Sequence, residues 1–188
     1  MILRGKSLKN AEKYALSDED IQNALNGVKI ITYPELEHYD DINNIFDKNG
    51  RFVCLFLTEN ENSGHWTCCF KRENGKVISW FDSYGLKPDD RKNGDKSWLS
   101  VAILRRFNEK DNYLIRLLRK AFEKGYTIEY NPYKFQSYKG GNNECGRWVI
   151  LRLLNQELSP DKFKDYIDNS KITPDNLATQ ITYNIIGK

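Results

Sequence analysis

Asn142-Asn143-Glu144-Cys145-Gly146-Arg147-Trp148-Val149-Ile150-Leu151-Arg152-Leu153-Leu154 reads as a turn that opens into an apolar helix. From Trp148 onward only Arg152 interrupts the apolar run. Leu151 and Leu154 fall one turn beyond Trp148 and Leu151, the spacing of a buried helix. The Asn pair is suitable N-cap material. Cys145 then lies in the first turn, where the positive end of the helix dipole favours thiolate and lowers the thiol pKa. Gly146 removes a side chain beside the sulfur, so another group can approach it closely. The same residues also suit a small core cysteine at a helix start, because free Cys is among the most buried residue types.

Upstream, residues 51–57 form a continuous apolar run, as in a central strand. Residues 59–64 read as a polar loop. Residues 65–72 and 76–83 then flank Asn74-Gly75, the strongest short signal for a hairpin. With a two-residue turn, Glu73 faces Lys76, Thr67 faces Asp82 and His65 faces Tyr84. Residues opposite one another, or two apart, share a sheet face. His65 and Asp82 become diagonal neighbours on one face. The carboxylate can then accept from one ring nitrogen and leave the other for a thiol, the job of the acid in an acyl-transfer triad. Asp82-Ser83-Tyr84-Gly85 also reads as an ordinary surface turn. His38, the other of two histidines, sits in an acidic loop and receives no role.

The rest of the chain supplies helices. Residues 1–16 look like a polar arm or irregular segment. Ser17-Asp18-Glu19-Asp20 opens a short helix as a capping box with Asp in the fourth position, and Gly27 closes it. Residues 41–46 suggest a helical turn, 98–124 one helix or two, and 126–130 a short strand ended by Pro132. Residues 160–170 and 173–186 are helices with Pro at N1 after Ser159 and Thr173. Helix, strands, helix, strand and helices in that order predict an α+β fold, a mixed central β-sheet flanked by helices.

The chain has 188 residues, 39% hydrophobic and 29% charged, enough for one domain over 1–188. Within it, 1–50 form an N-terminal arm and helix, 51–155 the core and 156–188 the C-terminal helices. No apolar run reaches the roughly 20 residues of a membrane span, and the first residues lack a secretory h-region. The net charge of +3 does not by itself demand nucleic acid. The basic residues between Arg105 and Lys124 would suit DNA, but with Glu109, Asp111 and Glu123 interspersed they read in preference as a solvated helix face. Four cysteines without a CxxC pair and two histidines argue against a zinc site, and a reducing compartment is expected. No metal or other cofactor is called for.

An acyl-transfer site also needs an oxyanion donor. Gln136, nine residues before Cys145, can offer its side-chain amide beside the Cys145 N–H. The ordered set Gly64-His65-Trp66, Trp80-Phe81-Asp82-Ser83, Gln136 and Glu144-Cys145-Gly146 resembles the adenovirus-type and ubiquitin-like-protease cysteine peptidases of clan CE. Phe81-Asp82-Ser83-Tyr84-Gly85-Leu86-Lys87-Pro88 and Asn143-Glu144-Cys145-Gly146-Arg147-Trp148 look most like the virophage, Polinton and giant-virus maturation proteases of that clan. The resemblance spans residues 51–155. It implies a papain-like or adenain-like fold with circularly permuted order, His-Asp-Gln-Cys. It implies Cys145 as nucleophile, His65 as base, Asp82 as orienting carboxylate and Gln136 as oxyanion donor. Trp66 would wall the site, with Gly146 beside the substrate.

The implied function is a cysteine endopeptidase that cleaves viral capsid or core precursors after Gly-Gly-X or Gly-X-Gly sites. It would work in the host-cell cytoplasm (the virus factory) and the virion, with a DNA or peptide activator and no membrane partner. Alternatives are a ubiquitin-like-modifier deconjugase, a clan-related acyltransferase, or a basic binding module in which Cys145 is core. The loop between Gln136 and Cys145 is longer than usual for the family, and Arg147 stands where many relatives carry an aromatic or small residue.

Overall fold

In the computed structural model, residues 3–60, 63–90, 106, 108–109, 111–137 and 143–187 are described. Strand β3, Ser63–Arg72, is the middle of a five-stranded sheet. It pairs antiparallel with β2, Arg51–Asn60, which pairs parallel with β1, Lys29–Thr32. On its other side β3 pairs antiparallel with β4, Val77–Phe81, which pairs parallel with β5, Thr127–Tyr130. The sheet is mixed and packed by helices on both faces, so the α+β expectation holds.

The β3–β4 hairpin keeps the register expected from Asn74-Gly75, with Cys68 facing Phe81 and Arg72 facing Val77. Its turn is wider than two residues. Pairing closes at Arg72 and Val77, and Glu73, Asn74 and Gly75 take φ of 52°, 54° and 83°. Because one residue is released from each strand, no side chain changes face. Phe70, Cys68 and Trp66 therefore point to one core, Cys69 to the other.

The first core lies between the sheet and helix α4, Cys145–Leu154, in which every residue from Gly146 to Leu153 is buried. A helix apolar on all sides needs cover on all sides. The sheet covers one side, and α2 (Asp18–Ala24) and α6 (Pro174–Ile186) others. Leu154, expected inside, is 47% exposed at the helix end. The second core lies under α3, Tyr113–Glu123, through Leu114, Leu117, Leu118 and Ala121. Tyr33 and Leu36, from the 3-10 segment Tyr33–His38, complete that core.

Several local expectations stand. Ser17 Oγ accepts from Asp20 N–H while Asp20 Oδ2 accepts from Ser17 N–H, the capping box in its Asp form. Gly27, at φ 74°, donates its N–H to Gln22 O at 2.8 Å and closes the helix. Pro160 and Pro174 begin α5, Pro160–Asp168, and α6. The helical turn expected at 41–46 is present, as a short 3-10 turn at Ile42–Asn44 capped by Asp41.

Others are corrected. The N-terminal arm contains helix α1, Gly5–Lys13, in which only Ala11 is buried. The loop expected at 59–64 is mostly strand, since β2 runs to Asn60 and β3 starts at Ser63. Of the helix expected over 98–124, Tyr113–Glu123 is seen, and residues 91–105 lie outside the described residues.

The basic face of α3 is tied down locally. Lys120 and Lys124 pair with Asp40 and Asp41 at 3.0 and 2.6 Å, and Arg116 donates to Leu36 O at 3.0 Å. These exposed ion pairs bridge the helix and the 33–44 segment. No helix among the described residues is long and apolar enough to cross a membrane.

Candidate active site

Three pieces of chain converge: the start of β3, the turn after β4 with residues 131–137, and the start of α4. Cys54, Cys68 and Cys69 are fully buried, and burial pushes all three thiols above their ordinary range, so they serve as neutral packing groups. Cys145 differs. It is the first residue of α4 and is partly exposed.

His65 and Asp82 are buried at 3% and 1% exposure, with Nε2 of the imidazole 3.4 Å from Oδ1 of the carboxylate. The diagonal placement read from the hairpin thus puts an acid beside a base. The separation is long for a hydrogen bond, as in many sites without substrate. Asp82 also begins the turn the sequence suggests. Its Oδ1 accepts from Tyr84 N–H at 2.8 Å and its carbonyl from Gly85 N–H at 2.9 Å. Asp82 and Ser83 of that turn are buried, and Tyr84 and Gly85 half-buried. Tyr84 lays its ring over the imidazole, with centroids 5.2 Å apart.

Gln136 is 1% exposed. Its backbone N–H donates to Ser83 O at 3.0 Å, and its Oε1 accepts from Ser83 Oγ at 2.7 Å. Asn131, also buried, donates through Nδ2 to Asp82 O and Tyr133 O, both at 2.8 Å. The carboxylate turn and the glutamine segment are therefore laced together. Sequence reading missed Ser83, Tyr84 and Asn131 as parts of the site. Turn chemistry around Asp82 was a signal for the first two; nothing local announces Asn131.

The first turn of α4 sits on the start of β3. A Cβ at Gly146 would lie 3.1 Å from Leu16 Cβ, 3.3 Å from Trp66 Cδ1 and 3.5 Å from Ile21 Cδ1. The space that Gly146 vacates is thus filled by core side chains. Glycine there seats the helix on the strand, a different role from the open approach to sulfur expected from the sequence. Trp66 is 8% exposed and donates its indole N–H to Leu16 O at 3.2 Å, while Trp148 is fully buried and donates to Asp175. Both rings pack as core, with Trp66, the residue named above as walling the site, keeping a small exposed edge.

The expected Asn cap is replaced. Glu144 occupies the N-cap position without a side-chain cap bond, Asn143 donates to Lys13 O, and Asn142 lies outside the described residues. Glu144 turns inward and is fully buried. Thr179 Oγ1 of α6 lies 2.8 and 2.9 Å from its two carboxyl oxygens. One hydroxyl thus lies within hydrogen-bond reach of both carboxyl oxygens, and its single proton can be shared between them. Burial pushes the Glu144 pKa up to about 8, with the Thr179 hydrogen bond and the Arg147 charge only partly offsetting it.

A consequence for stability follows. The unfolded chain releases this proton near pH 4.5 while the fold keeps it to about 8. Stability therefore falls as pH rises through that window and levels off above it. Glu144→Gln removes this dependence. The variant is expected to melt well above wild type at pH 8 and close to it at pH 5. A variant less stable than wild type at pH 8 would show that Glu144 is charged in the fold.

The chain matches no protein-family model. The "Uncharacterized protein V9" of Sputnik virophage is 40% identical over 182 residues, which cover 94% of this chain and 99% of that protein. The chain belongs to the virophage V9 family. Among solved structures, ASFV pS273R protease matches with a TM-score of 0.50 at 15% identity, over 99% of this V9-family chain and 71% of that protease. The SUMO protease Ulp1, with its catalytic cysteine oxidized to a sulfinic acid, matches with a TM-score of 0.42 at 14% identity, over 96% and 81% of the two chains. The V9-family chain thus shares the fold of a viral protease, the fold the four sequence motifs implied.

Proposed function

We propose that the chain is a cysteine endopeptidase that cleaves capsid or core precursor proteins during virion maturation, after small Gly-containing sites. The observation that carries this reading is the buried pair of His65 and Asp82, 3.4 Å apart at the sheet end against which the first turn of α4 is packed. An imidazole oriented by a carboxylate, together with a partly exposed thiol opening the helix packed on that sheet end, supplies the parts of an acyl-transfer site. The viral protease fold and the virophage relative support the same reading.

In this mechanism Asp82 holds Nε2 of His65 and leaves Nδ1 to serve the thiol. Cys145 gives its proton to His65, and the helix dipole favours the resulting thiolate. The sulfur attacks the carbonyl carbon of a small P1 residue. The amide of Gln136 and the Cys145 N–H donate to the oxyanion. His65 returns the proton to the leaving amine, and water, deprotonated by His65, releases the acyl group. A reducing compartment keeps the thiol competent, in keeping with work in the virus factory and the virion.

The test is co-expression with capsid proteins from the same genome. Wild type is expected to shorten a precursor that Cys145→Ala leaves intact, with the new ends at Gly-containing sites. Full-length precursors in both cases would overturn the maturation role. Cleavage confined to a modifier fusion would point to a deconjugase.

A further inference from the structure

The oxyanion role of Gln136 depends on which end of its amide faces the reacting carbonyl. A carboxamide can turn end for end about a soft torsion. With its oxygen toward an oxyanion it would repel the charge it is meant to hold. Something must fix the rotation.

Ser83 is in the position to do so. Its Oγ lies 2.7 Å from Gln136 Oε1, with Ser83 fully buried and Gln136 1% exposed. Its carbonyl accepts from both Phe135 N–H at 2.9 Å and Gln136 N–H at 3.0 Å. The same residue thus holds the backbone of Gln136 and the oxygen end of its side chain. The turn that carries Ser83 is itself anchored by Asn131 through Asp82 O.

We propose that Ser83 is a positioning residue for the oxyanion hole: by donating to Gln136 Oε1 it turns the amide NH₂ toward the developing negative charge. This rests on the peptidase reading above. Ser83 touches no reacting atom and acts through Gln136 alone. The unbroken run from Asp82 to Ser83 then serves two functions from adjacent residues, one for the base and one for the oxyanion.

The experiment compares two reactions of Cys145. Hydrolysis of a fluorogenic peptide amide ending in Gly-Gly passes through an oxyanion, whereas alkylation by iodoacetamide does not. Ser83→Ala is expected to lower kcat by about 10- to 100-fold, short of or equal to the loss of one oxyanion donor. KM and the alkylation rate are expected to stay near wild type. In a Gln136→Ala background, removing the Ser83 hydroxyl is expected to add no further loss.

Ser83→Thr, which keeps the hydroxyl, should recover most of kcat, and the equally large Ser83→Val should not. That pair decides the matter if Ser83→Ala folds poorly. A kcat for Ser83→Ala or Ser83→Val equal to that of its hydroxyl-bearing counterpart overturns the role of Ser83. So does an equal loss in hydrolysis and alkylation, which would place the damage at the His65–Asp82 pair. If wild type shows no hydrolysis that Cys145→Ala removes, the peptidase reading fails and this role falls with it.

Discussion

Cys145→Ala and His65→Ala each lower hydrolysis of a Gly-Gly peptide amide by about 10³-fold or more, and the double variant is no slower than the slower single one. Under the proposed mechanism non-additivity is expected, because nucleophile and base would act as one unit and removing either would stop the same step. The two variants separate in another assay. Cys145→Ala abolishes iodoacetamide labelling of the site, whereas His65→Ala slows it by removing the partner that takes the thiol proton. The other cysteines give no background in the native state, since Cys54, Cys68 and Cys69 are fully buried. The thermal melt of Cys145→Ala should stay near wild type, whereas His65→Ala, which empties a buried site beside Asp82, should melt lower. Hydrolysis that survives Cys145→Ala would mean the chemistry lies elsewhere in the chain.

Gly64→Ala is expected to cost about 3 kcal/mol or more of stability and to remove most activity, although Gly64 reacts with nothing. A Cβ there would sit 1.8 Å from Phe56 O and 2.7 Å from Phe56 C, both backbone atoms that cannot rotate aside. Gly64 pairs with Leu57, next to the register shift between β2 and β3. Relief requires the strands to separate or slide at this point. His65 is the next residue, and a shift of even 1 Å in a reacting group can cost about 100-fold in rate. Urea unfolding and hydrolysis measured together test this. Stability lowered by less than about 1 kcal/mol with full activity would show that the strand end yields freely.

The His65–Asp82 proximity was legible because an alternating strand pattern and a two-letter turn signal fix parity, and parity survives a wider turn. What escaped the sequence depends on partners distant in the chain. Helix α1 has one buried residue, so no apolar stripe announces it. It is held in part by Arg147 Nη2, which donates to Ala11 O at 2.7 Å. Strand β1 has four residues and needs β2 beside it to exist. Gly146 read as an opening because its neighbours, Leu16, Ile21 and Trp66, lie far away in sequence. The Asn cap failed for a similar reason: the local preference for a capping amide gave way to a carboxyl that finds Thr179 from another helix.

Arg147 carries a consequence for synthesis. Its guanidinium, fully buried, reaches Ala11 O from one nitrogen and Thr182 Oγ1, at 2.8 Å, from the other. While the ribosome has yet to add residues 174–187, half of that clasp does not exist, and the Arg147 cation of α4 faces an unfinished interior. The start of α4 is therefore tied to the last helix of the chain, and that half of the clasp can form only once Thr182 has been made.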